Sequence, residues 1–120
     1  MRSRPVFRPG KNVAMKVPPD EFDATVAFYR DIVGLKRLRR GNANSVGFEF
    51  GGKNLWIDRV PALSQAEIWL EISTRDTKAA AQHLKTKHVV RADAIEPLPA
   101  DLDAFWIKNP AGIVHLVCND

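Results

Sequence analysis

The strongest constraint in this sequence is a repeated order of elements. Strand, helix and three further strands occur twice along 120 residues. One copy of such a unit is too short to build a sound core, so the two copies must fold together around shared space. In the first copy, residues 12–17 read as a strand that Pro18 and Pro19 stop. Asp20 stands where a helix cap belongs. Phe22, Val26, Phe28 or Tyr29, Ile32 and Val33 then recur at helical spacing before Gly34, which predicts a helix near 20–33. Strand-like segments follow at 36–39, 45–50 and 53–58, the last two joined by a Gly51-Gly52 hairpin.

After a linker at 61–65 the order returns. Residues 67–72 read as a strand, and Thr74 or Asp76 starts a helix near 75–86 with Ala79, Ala80 and Leu84 inward and Ala81 beside them. A short strand at 88–91, a loop at 92–103, and strands at 105–108 and 113–118 complete the copy. The last two strands turn across Asn109-Pro110-Ala111-Gly112. The predicted fold class is α+β: two βαβββ modules, 11–60 and 66–120, packed as one domain behind a tail at 1–10.

Composition narrows the class further. Three Trp and six Phe within a 45% hydrophobic chain exclude a disordered segment. No apolar run approaches the roughly 20 residues that a bilayer span needs. The start MRSRPVFRPG lacks the apolar stretch of a secretory signal, and a lone Cys118 supplies neither an intrachain disulfide nor a thiolate zinc cluster. The expected location is the cytoplasm, with no membrane partner.

The net charge of +4 is divided unevenly, +6 over residues 1–60 and −2 over 61–120. Arg2, Arg4, Arg8 and Lys11 form a basic tail, and Lys36, Arg37, Arg39 and Arg40 form a basic run. No aromatic residue interleaves with that run to stack bases, so it reads as a solvated strand rather than a nucleic-acid surface.

Particular residues resemble a known group. NVAMKVPPDEFDATVAFYRDIVGL, then FEFGG, then FWIKNPAGIVHLV is similar to the glyoxalase/bleomycin-resistance/extradiol-dioxygenase proteins, the vicinal oxygen chelate superfamily. The signatures are Phe28-Tyr29-Arg30 followed by Gly34-Leu35, and an Asn-Pro-x-Gly turn where that group usually has Asp-Pro-x-Gly. The resemblance implies paired modules whose mixed sheet curls into a half-open barrel around a cavity, often completed by a homodimer. In metal-dependent members, ligands stand on the first and last strand of each module. Carried over, those positions are Asn12 and Trp56, then Glu67 and His115. Without a gap at the last turn Leu116 takes the fourth position, and a turn one residue shorter restores His115, the two side chains lying on opposite sheet faces.

The chemistry at these positions argues against a metal. Asn12 offers only an amide oxygen, and an indole such as Trp56 is a donor that cannot ligate. Glu67 and His115 alone would leave a divalent ion mostly hydrated. No cofactor is therefore expected, with a divalent metal as the alternative. By strand parity Ala14 and Lys16 accompany Asn12, Trp69 and Glu71 accompany Glu67, and Asn54 and Asp58 accompany Trp56.

Such a lining suits a flat or cationic organic molecule, with Asn12, Trp56, Glu67, Trp69 and His115 as ligand-binding residues. It also suits an inert plug, in which the two indoles fill the space and Glu67 pairs with Lys16. The expected function is small-molecule binding without a metal. The alternative is a lyase, isomerase or dioxygenase in which Glu67 and His115 ligate a metal or transfer protons. His83 and His88 read as structural or exposed, and Cys118 differs in strand parity from His115, which excludes a Cys–His couple.

Overall fold

A computed structural model describes residues 4–120, so Arg2 of the basic tail lies outside the described residues. Eight strands and two helices follow in the order β1 (Arg8–Val17), α1 (Pro19–Ala27), a π-helical turn (Phe28–Val33), β2 (Arg37–Asn42), β3 (Ser45–Phe50) and β4 (Lys53–Arg59). Then come β5 (Glu67–Thr74), α2 (Thr77–Thr86), β6 (Val90–Arg91), β7 (Ala104–Lys108) and β8 (Val114–Asn119). The α+β class and the repeated βαβββ order stand as the sequence predicts. Among the described residues, no helix is long and apolar enough to cross a membrane.

The chain divides into two compact units, Lys11–Trp69 and the residues up to Gly10 together with Leu70–Asp120. The division falls inside β1 and β5. In the first unit the strands lie in the order β2-β3-β4-β1, with β1 parallel to β4 and the rest antiparallel. Val17, Leu55 and Ile57 pack with Val46 and Phe48 against Phe22 and Val26 of α1. Each such side chain removed from water contributes about 1.5–3 kcal/mol.

The second unit follows the order β5-β8-β7-β6, with Phe105, Ile107 and Val117 against Ala80. Residues 4–10 belong here rather than standing apart as a tail. β1 begins at Arg8 instead of residue 12, because Gly10 lets Glu71 lie close. A Cβ at Gly10 would come within 2.5 Å of the Glu71 carbonyl oxygen.

The helix of the first unit departs from its expected form. Pro18 occupies the cap position without a side-chain hydrogen bond, and Pro19 opens the helix, so Asp20 sits in the first turn rather than capping it. Past Ala27 the winding widens to a π-helical turn, which ends at Gly34 in the left-handed conformation (φ 78°). The wider turn carries Ile32 (76% exposed) and Val33 (49%) outward, although a 3.6-residue period placed them in the core. Tyr29 instead meets Phe48, their ring centroids 6.1 Å apart.

In α2, Asp76 is the cap, its Oδ1 accepting the Ala79 N–H at 3.0 Å. Ala80 is fully buried, while Ala79 faces solvent. The strand expected at 88–91 shrinks to two residues, because His88 adopts the left-handed conformation (φ 63°).

Two substitutions of contrasting size test this packing. Phe48→Ala, at a fully buried position, is expected to lower the unfolding free energy by about 3–5 kcal/mol. Asp76→Ala should cost only about 1 kcal/mol. Urea denaturation followed by circular dichroism measures both, and equal losses would contradict this placement of the core.

Candidate functional site

In the first unit the sheet presents two unlike faces. One is the apolar face under α1. The other carries Asn12, Ala14 and Lys16 of β1 opposite Asn54, Trp56 and Asp58 of β4, in the register Asn12↔Asn54, Ala14↔Trp56 and Lys16↔Asp58. Residues 67–69 of β5 add Glu67 and Trp69 to the same unit.

Two polar clusters result, centred on Asn12 and Lys16, about 13 Å apart along the strand. In the first, Asn12 Oδ1 accepts the Trp56 indole N–H at 2.8 Å and the Asn54 amide at 3.1 Å. In the second, Lys16 Nζ donates to Asp58 Oδ2 at 2.8 Å and lies 4.3 Å from the Trp69 ring centroid. Ser45 Oγ donates to the other Asp58 oxygen at 2.5 Å. Trp69 directs its own N–H to Glu67 Oε1 at 2.9 Å. The carboxylate on Lys16 is thus Asp58, while Glu67 holds an indole instead of the expected lysine.

Accessibility separates these residues. Lys16 and Trp69 are each 5% exposed, so the cation–π pair is a sealed structural contact. Trp56 is half-buried and Glu67 is exposed. Trp56 owes its seat to Gly47, its partner across the ladder, where a Cβ would approach the indole to 2.8 Å. Arg40 of β2 places its guanidinium 5.5 Å from the Trp56 ring centroid.

Arg40 belongs to the run read as a solvated strand. Lys36 of that run pairs with Glu49 at 3.5 Å. The Arg40–Trp56 contact was invisible in the sequence because it depends on the pairing of β2 with β3.

His115 does not lie on the corresponding face of the second unit. Its ladder partners are Leu70 and Ile107, and it shares a face with the buried Val117, beneath α2. Leu116 occupies the helix-free face, opposite Trp106. Trp106 was not singled out from the sequence, although strand parity and its cross-strand partner would have placed it there. It is buried and donates its indole N–H to the Glu96 carbonyl at 2.9 Å.

The side chains at the four carried-over positions do not fit a divalent ion. Two donors occupy both lone-pair directions of Asn12 Oδ1. Trp56 fills the second position with a ring that cannot ligate. Glu67 is engaged by Trp69, and His115 is turned toward the helix side of its own sheet. Among the described residues, no three or more His, Cys, Asp or Glu side chains gather at one point.

Cys118 is remote from metal or nucleophile chemistry as well. Burial, reinforced by the negative charges of Glu71 and Asp120, pushes its thiol up to about 11.

No family model matches the chain, and no curated protein does. Solved structures do. A Mn(II)-bound glyoxalase from Novosphingobium aromaticivorans is 20% identical at a TM-score of 0.66, over 96% of this chain and 40% of its own. Methylmalonyl-CoA epimerase from Mycobacterium tuberculosis is 13% identical at a TM-score of 0.68, over 99% and 92%. A glyoxalase/bleomycin resistance protein/dioxygenase superfamily member from Vibrio splendidus is 15% identical at 0.61, over 96% and 100%. The chain therefore spans less than half the length of the first of these and nearly all of the other two. It carries the vicinal oxygen chelate fold that its sequence resembles.

The Lys16 cluster is expected to behave as a buried ion pair. Lys16→Met leaves Asp58 without its cation and should destabilise by about 3 kcal/mol, whereas Lys16→Met with Asp58→Asn should cost less than the two single changes together. Chemical denaturation of all three variants decides the point, and additive losses would show that the pair is not coupled. For Cys118, a raised folded-state value means that the thiolate is scarce in the native protein until the pH nears 11. Alkylation at pH 8 should accordingly be much slower in native than in urea-unfolded protein; equal rates would place the thiol in open solvent.

Proposed function

We propose that this protein binds a small organic molecule without a metal, in the manner of a glyoxalase/bleomycin-resistance-type binding protein. The observation that carries this reading is the saturation of Asn12 Oδ1 by Trp56 and Asn54. It converts a family ligand position into a support for an accessible indole. Trp56 forms the aromatic wall, and Asn12 holds its ring. The carboxylate of Glu67 is open to solvent in the same unit.

A guanidinium already rests on Trp56, so this indole is disposed toward a planar cation. Arg40 is exposed, which lets a ligand of the same shape and charge take its place. Trp69 donates its indole N–H to Glu67 Oε1 and so holds that carboxylate in place. His115 is not part of it. The alternative enzymatic reading through Glu67 and His115 has no supporting contact, because His115 faces the helix side of its own sheet. The reading includes a cytoplasmic homodimer, supported by the exposed Phe28, Ile32 and Val33 around the π-helical turn.

Two measurements test it. Elemental analysis of purified protein should find no stoichiometric divalent ion, and Mn(II) or Zn(II) should leave the melting temperature unchanged. A planar aromatic cation, N-methylquinolinium, should quench tryptophan fluorescence saturably. Trp56→Leu should abolish that binding, and Glu67→Gln should weaken it about tenfold. A metal that survives dialysis against a weak chelator, or quenching that ignores both substitutions, overturns the proposal.

A further inference from the structure

The second unit contains a cavity that the site above does not use. It measures about 560 Å³ and opens where α2 ends, bounded by Ile72 of β5, Leu84 of α2, Val89 and the buried Ile107 of β7. Its polar boundary comes from Lys87, His88, Lys108 and His115. No carboxylate lines it. A volume in the roughly 300–1,000 Å³ range, with apolar walls and a few convergent polar groups, is characteristic of small-molecule sites.

The internal repeat explains why the space exists. In the first unit, helix and π-helical turn together run from Pro19 to Val33, and Tyr29 and Leu35 are brought onto the core beside Phe48 and Leu55. In the second unit α2 stops at Thr86, and the chain turns away through His88 in its left-handed conformation. No aromatic side chain corresponding to Tyr29 follows. By sheet face, His115 holds the place that Leu55 holds in the first unit, since each neighbours a buried core residue two positions on, Val117 and Ile57. An apolar packing position has become an imidazole beside a vacant volume.

The polar groups are disposed for an anion. His115 Nδ1 donates to the Ile113 carbonyl oxygen at 3.1 Å, which leaves Nε2 an acceptor, so the donors for an anion come from the neighbouring lysines and Asn109. Among the described residues, neither Lys87 nor Lys108 is paired with a carboxylate. Asn109 uses its side-chain oxygen to accept the Ala111 and Ile113 N–H groups, each at 2.9 Å, which leaves its amide N–H groups as donors beside the cavity.

We infer that this cavity is a second ligand site, independent of the one proposed above, for a carboxylate with an apolar body. The hydrocarbon would replace the side chains that the shorter helix omits, against Ile72, Leu84, Val89 and Ile107. The carboxylate would meet the cationic edge at Lys87 and Lys108.

Isothermal titration with octanoate tests the assignment, with octylamine as the charge-reversed control. Octanoate should bind saturably with one site per chain, and octylamine should not. Lys87→Gln combined with Lys108→Gln, at positions outside the core, should weaken octanoate about tenfold. Ile107→Trp should block it by filling the volume, and a fully folded circular dichroism spectrum identifies a usable variant. Glu67→Gln should leave octanoate binding intact, so failure here is distinguishable from failure at Trp56. Absence of saturable octanoate binding, equal binding of octylamine, or binding that survives the double lysine substitution overturns the inference.

Discussion

The alternation of side chains across the sheet decides which residues of this chain form core and which form a site. Each strand sends successive residues to opposite faces. In β1 and β4 that alternation sorts Val17, Leu55 and Ile57 under the helix and Asn12, Lys16, Trp56 and Asp58 away from it. On the covered face the polar set would meet Phe22, Val26, Val46 and Phe48, and its charges would be desolvated against hydrocarbon. On the open face it becomes a ladder of mutual partners, with no buried side-chain nitrogen or oxygen left unsatisfied among the described residues. Chemistry and core are thus two sides of one pattern.

Much of the fold was legible for this reason. Strands 45–50 and 53–58, the Gly51-Gly52 turn and the helix near 75–86 all announce themselves by period or by turn residues, and the structure differs by a residue or two. The failures have particular causes. A 3.6-residue period places Ile32 and Val33 in the core, but the segment winds as a π-helix and carries them outward. Gly10 carries no periodic signal and so reads as tail, whereas its role lies in the space it leaves for Glu71.

The site was legible in part. Parity correctly groups Asn12 with Lys16 and Trp56 with Asn54 and Asp58, since those relations are local to a strand. It cannot say which carboxylate a lysine finds. Asp58 stands directly across the parallel ladder from Lys16 and so prevails over Glu67. The choice between His115 and Leu116 depended on the length of one turn, and a single position there exchanges the two faces. Arg40 reads in the sequence only as part of a basic run, and Trp106 carries no signal of its own, because their roles arise from cross-strand neighbours.

Gly47 and Trp56 face each other across one ladder, and Trp106 and Leu116 face each other across the corresponding ladder of the other half. The bulky member has changed strands. Replacing β4 by β8 would set Gly47 against a leucine and open a void, while replacing β7 by β3 would pair glycine with leucine again and strip out the indole that holds the Glu96 carbonyl. Installing Trp106 opposite Trp56 would crowd two indoles into the width of one. The halves of this duplicated chain have therefore lost interchangeability.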